Sequence, residues 1–167
     1  AKFFRSSDLR HTVFDAGWYR TYNLLKVRGD SLFTNEGDYE TRCHIFVQNV
    51  TAALANAGYD SNNSNATLRQ AKTGDTNLIT PPQLDLQFLY IADGNIFDID
   101  ESLAFTSVES GTPVAIGCGA SLARGAMLGA LASGKDAAAA VLIGIQAAIQ
   151  IDIRCGYPID FFSIRSE

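Results

Sequence analysis

The sequence predicts an α+β domain in which an antiparallel sheet is covered by pairs of helices, on the strength of three observations. Short extended segments outnumber helical ones, and Asp93-Gly94 sits between two of them as a two-residue hairpin signal. The helical segments come in pairs, one pair before residue 60 and one after residue 119. The order β-β-α-α-loop-β-β-β-β-α-α-β holds more hairpins than crossovers, which favours an antiparallel sheet over a parallel one.

Each element has a local reason. Lys2–Arg5 and Thr12–Phe14 read as short strands joined by a turn at Ser6, Ser7 and Asp8. Apolar residues at 18, 22, 24, 25 and 27 predict a helix over Trp18–Val27, and the glycines and short polar residues of Arg28–Gly37 predict a loop. The next helix has the clearest pattern. Asp38 is a good N-cap, Cys43, Phe46, Val47, Val50, Leu54 and Ala57 form one apolar stripe, and Gly58 supplies the stop. Residues 60–83 are polar and predict a long loop insertion rather than a domain boundary, so 1–167 is read as a single domain.

Leu84–Ala92 alternates with aromatic enrichment and predicts a strand; Asn95–Ile99 returns from the turn, and Ser102–Val108 is extended again. Gly111-Thr112-Pro113 turns the chain into Val114–Ile116, read as a short buried strand. After Gly117-Cys118-Gly119 comes a helix over about Ala120–Ala132, whose small residues let a neighbouring backbone approach closely. Asp136 sits in the first turn of the following helix, where its charge complements the helix dipole. That helix runs to about Cys155 and is apolar nearly all round, which predicts burial on most sides with help from a partner subunit. Gly156 and Pro158 end it, and Ile159–Ile164 is read as a final strand.

Composition narrows the function classes. With 47% hydrophobic and 19% charged residues the 167-residue chain has globular balance. A net charge of −5 without a basic stripe argues against nucleic-acid binding. Gln146, Gln150 and Asp152 interrupt the apolar run Ala137–Ile153, which argues against a membrane span. Three cysteines, Cys43, Cys118 and Cys155, form no disulfide framework and fit a reducing, cytoplasmic setting. The sequons at Asn49, Asn62 and Asn65 would matter only in a secreted protein.

No cofactor or metal is predicted. Cys43 and His44 are adjacent on a helix, so their side chains diverge by about 100°, and His11 is the other histidine. A zinc site therefore lacks ligands on this reading. Asp93, Asp98, Asp100 and Glu101 are clustered but match no calcium loop, and no Gly-Lys-Ser/Thr follows Gly117–Gly119 as a phosphate loop requires. Cys43 lies on the apolar stripe, which argues against a Cys-His catalytic pair.

From Phe88 to Ile164 the chain runs strand, Asp93-Gly94 turn, Ile96–Ile99, Val114–Gly119, an alanine- and glycine-rich helix with Ala123, Gly125 and Ala126, then Asp136, a long helix and Tyr157-Pro158-Ile159. This order resembles the C-terminal half of proteasome β-subunits and of the bacterial two-component heat-shock protease subunit, where a Gly-Ser-Gly-type turn opens the same small-residue helix. Gly17-Trp18-Tyr19-Arg20 with Leu24-Leu25 is similar to a Gly-Asp-Trp-Arg-type segment of phage and bacterial relatives of these peptidases. The resemblance implies an N-terminal-nucleophile hydrolase fold, a four-layer αββα sandwich of antiparallel sheets. It also implies homo-oligomeric rings, a polypeptide substrate, gating by an ATPase partner, and amide hydrolysis by a mature N-terminal residue, usually threonine.

That chemistry needs a hydroxyl or thiol on the first residue and its own amine as base. Ala1 has no nucleophilic atom. Ala1–Arg5 instead resembles the segment carrying the family's catalytic lysine, which assigns electrostatic activation to Lys2 and expects the nucleophile and the first strands on a preceding segment. Cys118 and Gly119 fall on the turn near the active centre, where a helix N-terminus favours negative charge. A lysine at a solvated chain end and a cysteine packing a turn are the plain alternatives. A catalytically inactive assembly protein of the same fold, such as a phage particle component located in the virion, is the alternative function.

Overall fold

The computed structural model describes residues 2–17, 19–57, 86–161 and 163. The expected loop insertion at 60–83, the helix stop at Gly58, the strand start at Leu84 and much of the expected last strand lie outside them. The chain is α+β. Strands β1 (Phe3–Arg5), β2 (His11–Gly17), β3 (Leu86–Ala92), β4 (Asn95–Ile99) and β5 (Phe105–Val108) form one sheet in sequence order, each antiparallel to its neighbour. Helices α1 (Tyr19–Arg28) and α2 (Tyr39–Asn56) follow β2, with a 3-10 turn at Gly29–Leu32 where the sequence suggested only loop; helices α3 (Ala120–Ala132) and α4 (Ala137–Ile151) follow β5.

Alternation decides the sheet's inner face. Leu86, Phe88, Tyr90 and Ala92 of β3 are buried, while the residues between them are half-buried. They meet Phe46, Val50 and Leu54 of α2, with the Phe46 and Tyr90 rings stacked 4.7 Å apart. The hairpin follows its sequence signal. Asp93 and Gly94 have φ of 45° and 81°, the paired left-handed conformation that Asp-Gly tolerates. The Asp93 carboxylate accepts from Arg10 Nε (3.1 Å) and Nη2 (2.9 Å) and from Arg42, tying the turn to the residue that precedes β2 and to α2. These hydrogen bonds hold its carboxyl below the usual carboxylate range.

A polar relay crosses the core edge. Asn35 Nδ2 donates to Asp8 Oδ2 (2.8 Å), which fixes the amide's orientation. His11 Nε2 then donates to Asn35 Oδ1 (3.0 Å), and Nδ1 accepts the Tyr90 hydroxyl (2.8 Å). Each side-chain polar atom of the relay from Asp8 to Tyr90 has a partner, which offsets the cost of desolvating it.

Four expectations are corrected. Val114–Ile116 is half-buried and forms no strand; it runs as a linker that Arg124 Nη2 holds through the Ala115 carbonyl (3.4 Å). The last helix stops at Ile151, because Asp152 turns extended (φ −98°, ψ 112°) and its carboxylate accepts the Arg154 N–H at 2.9 Å. Residues 159–161 carry no strand. Only Ala140, Gly144 and Ala148 of α4 are buried, since one neighbouring helix covers one stripe and leaves the rest of an apolar helix open.

The expected pair of stacked sheets is one sheet among the described residues. Helices α3 and α4 pack on each other around Ala123, Met127 and Ala148, in a cluster separate from the sheet core. Among the described residues no helix is long and apolar enough to cross a membrane.

Candidate functional site

Lys2 immediately precedes β1, whose pairing with β2 brings its carbonyl to the Asp15 N–H (2.9 Å). Its ammonium donates to the Gly17 carbonyl at the far end of β2. The same strand end meets the 117–119 turn. Gly117 has φ of +91°, which a side chain would strain, and a Cβ there would stand 3.4 Å from the Ala16 methyl. Its N–H donates to Gln87 Oε1 on β3 (3.1 Å). Lys2 and the Gly117–Gly119 turn thus converge on Ala16-Gly17, although they lie more than a hundred positions apart in sequence.

The turn opens α3 without a side-chain cap. Ala120 N bonds to Gly117 O (3.1 Å) and Ala123 N to Gly119 O (2.9 Å). Gly119 is a packing necessity, because a Cβ there would lie 2.7 Å from Cys155 Sγ and 2.8 Å from the Ala148 methyl. Cys118 is exposed, and its Sγ stands 3.6 Å from that of Cys155. Cys43 is fully buried on α2, and burial pushes its thiol up to about 12, so it takes no part in this site.

Two residues that the sequence reading did not single out complete the group. The Asp152 carboxylate, just past the end of α4, accepts from Arg154 Nε (3.0 Å) and Nη2 (2.7 Å), and these hydrogen bonds hold its carboxyl at about 2. Cys155 has its thiol pushed up, first by burial and then by Cys118. The Asp152-x-x-Cys155 spacing next to a helix end was the available signal, but only the α3–α4 pairing brings it to Cys118. Alongside, a polar cleft of about 370 Å3 opens between the outer face of the sheet and α3. Gln87, Asp98, Thr106, Ser121 and Arg124 line it, and burial raises the Asp98 carboxyl.

No protein-family model matches the chain, and no curated protein matches it by sequence. Solved structures do match. BPH of Thiobacillus denitrificans aligns with a TM-score of 0.68 at 20% identity over 99% of this chain and 80% of that one. BPH of the same organism in complex with epoxomicin aligns at 0.64 and 19% over 100% and 80%. The eukaryotic HslV from Trypanosoma brucei aligns at 0.54 and 20% over 93% and 76%. At such identities the likeness is one of fold, and it covers nearly the whole chain: the protein has the proteasome-like fold that it shares with BPH and HslV.

Proposed function

We propose that this chain is a threonine-peptidase-like, proteasome-type subunit that hydrolyses peptide bonds within an oligomeric ring. The observation that carries the reading is the seating of Lys2 on the Gly17 carbonyl, beside the strand end that the Gly117–Gly119 turn also meets. The likeness to BPH, one structure of which holds epoxomicin, supports it. In this reading a mature N-terminal hydroxyl on a segment preceding the lysine strand attacks the scissile carbonyl carbon. Its proton passes to the residue's own amine and then to the leaving amine, and water releases the acyl group. The Lys2 charge favours the deprotonated forms this requires, and backbone N–H groups stabilise the oxyanion.

The reading extends to a four-layer sandwich. The sheet face turned away from α1 and α2 carries Phe14, Leu89, Ile91 and Ile96, all half-buried, and α4 exposes Val141, Leu142 and Ile143. A second sheet laid on that sheet face would cover it. Those exposed side chains also support assembly of several copies into a ring.

The test uses the full-length natural protein. We expect turnover of a fluorogenic peptide, its loss on epoxomicin treatment with a matching mass adduct, and a fall of about 100-fold or more in turnover for Lys2→Ala. A mature chain that begins at Ala1, with neither turnover nor adduct, overturns the reading and leaves an assembly protein of the same fold.

A further inference from the structure

We propose that Cys118, Asp152 and Cys155 form a binding site for a thiophilic divalent cation, zinc above others. The three side chains come from separate features of the fold: the turn before α3, the residue that ends α4, and the position three residues beyond it. Their donor atoms nevertheless all lie within 4.8 Å of one another. The packing that gathers them is tight. Ala148 and the Cys155 sulfur fill the space a side chain at Gly119 would need, so the two thiols are held by the contact between the helices.

The spacing suits the ion. With Zn–S bonds of about 2.3 Å, two thiolates on a tetrahedral centre stand roughly 3.8 Å apart. The Cys118 and Cys155 sulfurs are 3.6 Å apart, so a metal could be bridged with almost no movement. Close thiols alone would not identify a ligand, but the Asp152 carboxylate gives a third donor of a different kind. Arg154 orients it, donating from Nε, Nη2 and its backbone N–H. A carboxylate has about four lone-pair positions, so at least one remains for a metal. Oriented outer partners of this type are what metal ligands ordinarily have.

Charge and softness select the ion class. Two thiolates and a carboxylate carry three negative charges, Arg154 returns one positive, and a divalent cation neutralises the remainder. Sulfur donors disfavour magnesium and calcium and favour zinc, and Cys118 is exposed, so water can complete the tetrahedron. This inference does not depend on the peptidase reading, and its readout is spectroscopic.

Cobalt(II) serves as the probe, titrated into the full chain kept reduced and anaerobic. The expected result is a thiolate-to-cobalt charge-transfer band that saturates at one equivalent and is displaced by one equivalent of zinc. Cys118→Ser and Cys155→Ser should each weaken cobalt binding at least tenfold, and Arg154→Ala should weaken it by about tenfold. Cys43→Ala should leave the band unchanged. Absence of a saturable band in protein with a native circular-dichroism spectrum overturns the proposal. So does a band that survives the Cys118→Ser/Cys155→Ser double variant.

Discussion

Gly144 sits where α4 crosses α3, and a Cβ built on it would lie 2.6 Å from Met127 Cγ and 2.8 Å from the Ala123 carbonyl oxygen. The methionine end could swing aside, but the backbone oxygen cannot. Gly125 and Gly129 on α3 have open space at the same position. Two opposed effects therefore separate by site. Alanine gains up to about 1 kcal/mol of helix propensity over glycine, and overpacking costs about 1–3 kcal/mol. Gly144→Ala should lower the urea midpoint, and Gly125→Ala should leave it unchanged or raise it. A Gly144→Ala protein as stable as its parent would mean that the α3–α4 contact is looser than these distances.

At the scale of the element, capping decides where α2 and α4 begin. Asp38 accepts the Thr41 N–H at 2.8 Å and Asp136 accepts the Ala139 N–H at 2.7 Å. The Thr41 hydrogen bond lowers the Asp38 pKa from 3.8. Its folded value is thus below its unfolded one, so its contribution is present above about pH 4 and is lost as pH falls through the folded value. Asp38→Ala should therefore lower the urea midpoint at pH 7, and the gap from the parent should close towards pH 2. An equal gap at both ends would assign the effect to something other than the cap.

Such local signals made much of the fold legible. The Asp38 cap, the Asp93-Gly94 turn, the β3 alternation and the Cys43–Leu54 stripe are each specified within a few residues, whereas Asp136, expected in the first turn of its helix, stands one step earlier as its N-cap. Val114–Ile116 misled, because three apolar residues after a proline read as a strand whether or not a neighbouring strand exists to pair with them. The site was half legible. The glycine-flanked Cys118 stood out, and the likeness assigned Lys2, but the nearness of Asp152 and Cys155 to Cys118 is a property of helix pairing that no local pattern encodes.

Across the whole molecule, the apolar surface is divided unequally. The sheet, α1 and α2 enclose one core in which Phe46, Phe88, Tyr90 and Phe97 are fully buried. The α3–α4 pair buries small residues instead and leaves Leu128 52%, Leu142 39% and Ile143 38% exposed. Leu142 lies on the side of α4 opposite the Ala140-Gly144-Ala148 stripe, so it contributes little to holding α4 against α3. A charge placed there should leave the single subunit's stability within about 0.5 kcal/mol of its parent, as surface changes usually do. An interface that uses this face would in contrast have to bury an unpaired carboxylate. At micromolar concentration the parent should therefore sediment as an oligomer. Leu142→Glu should shift it towards monomer while the thermal midpoint measured on dilute, monomeric samples stays in place. A parent that sediments as a monodisperse monomer, or a Leu142→Glu variant that assembles as well as the parent, would place the contact elsewhere on the molecule.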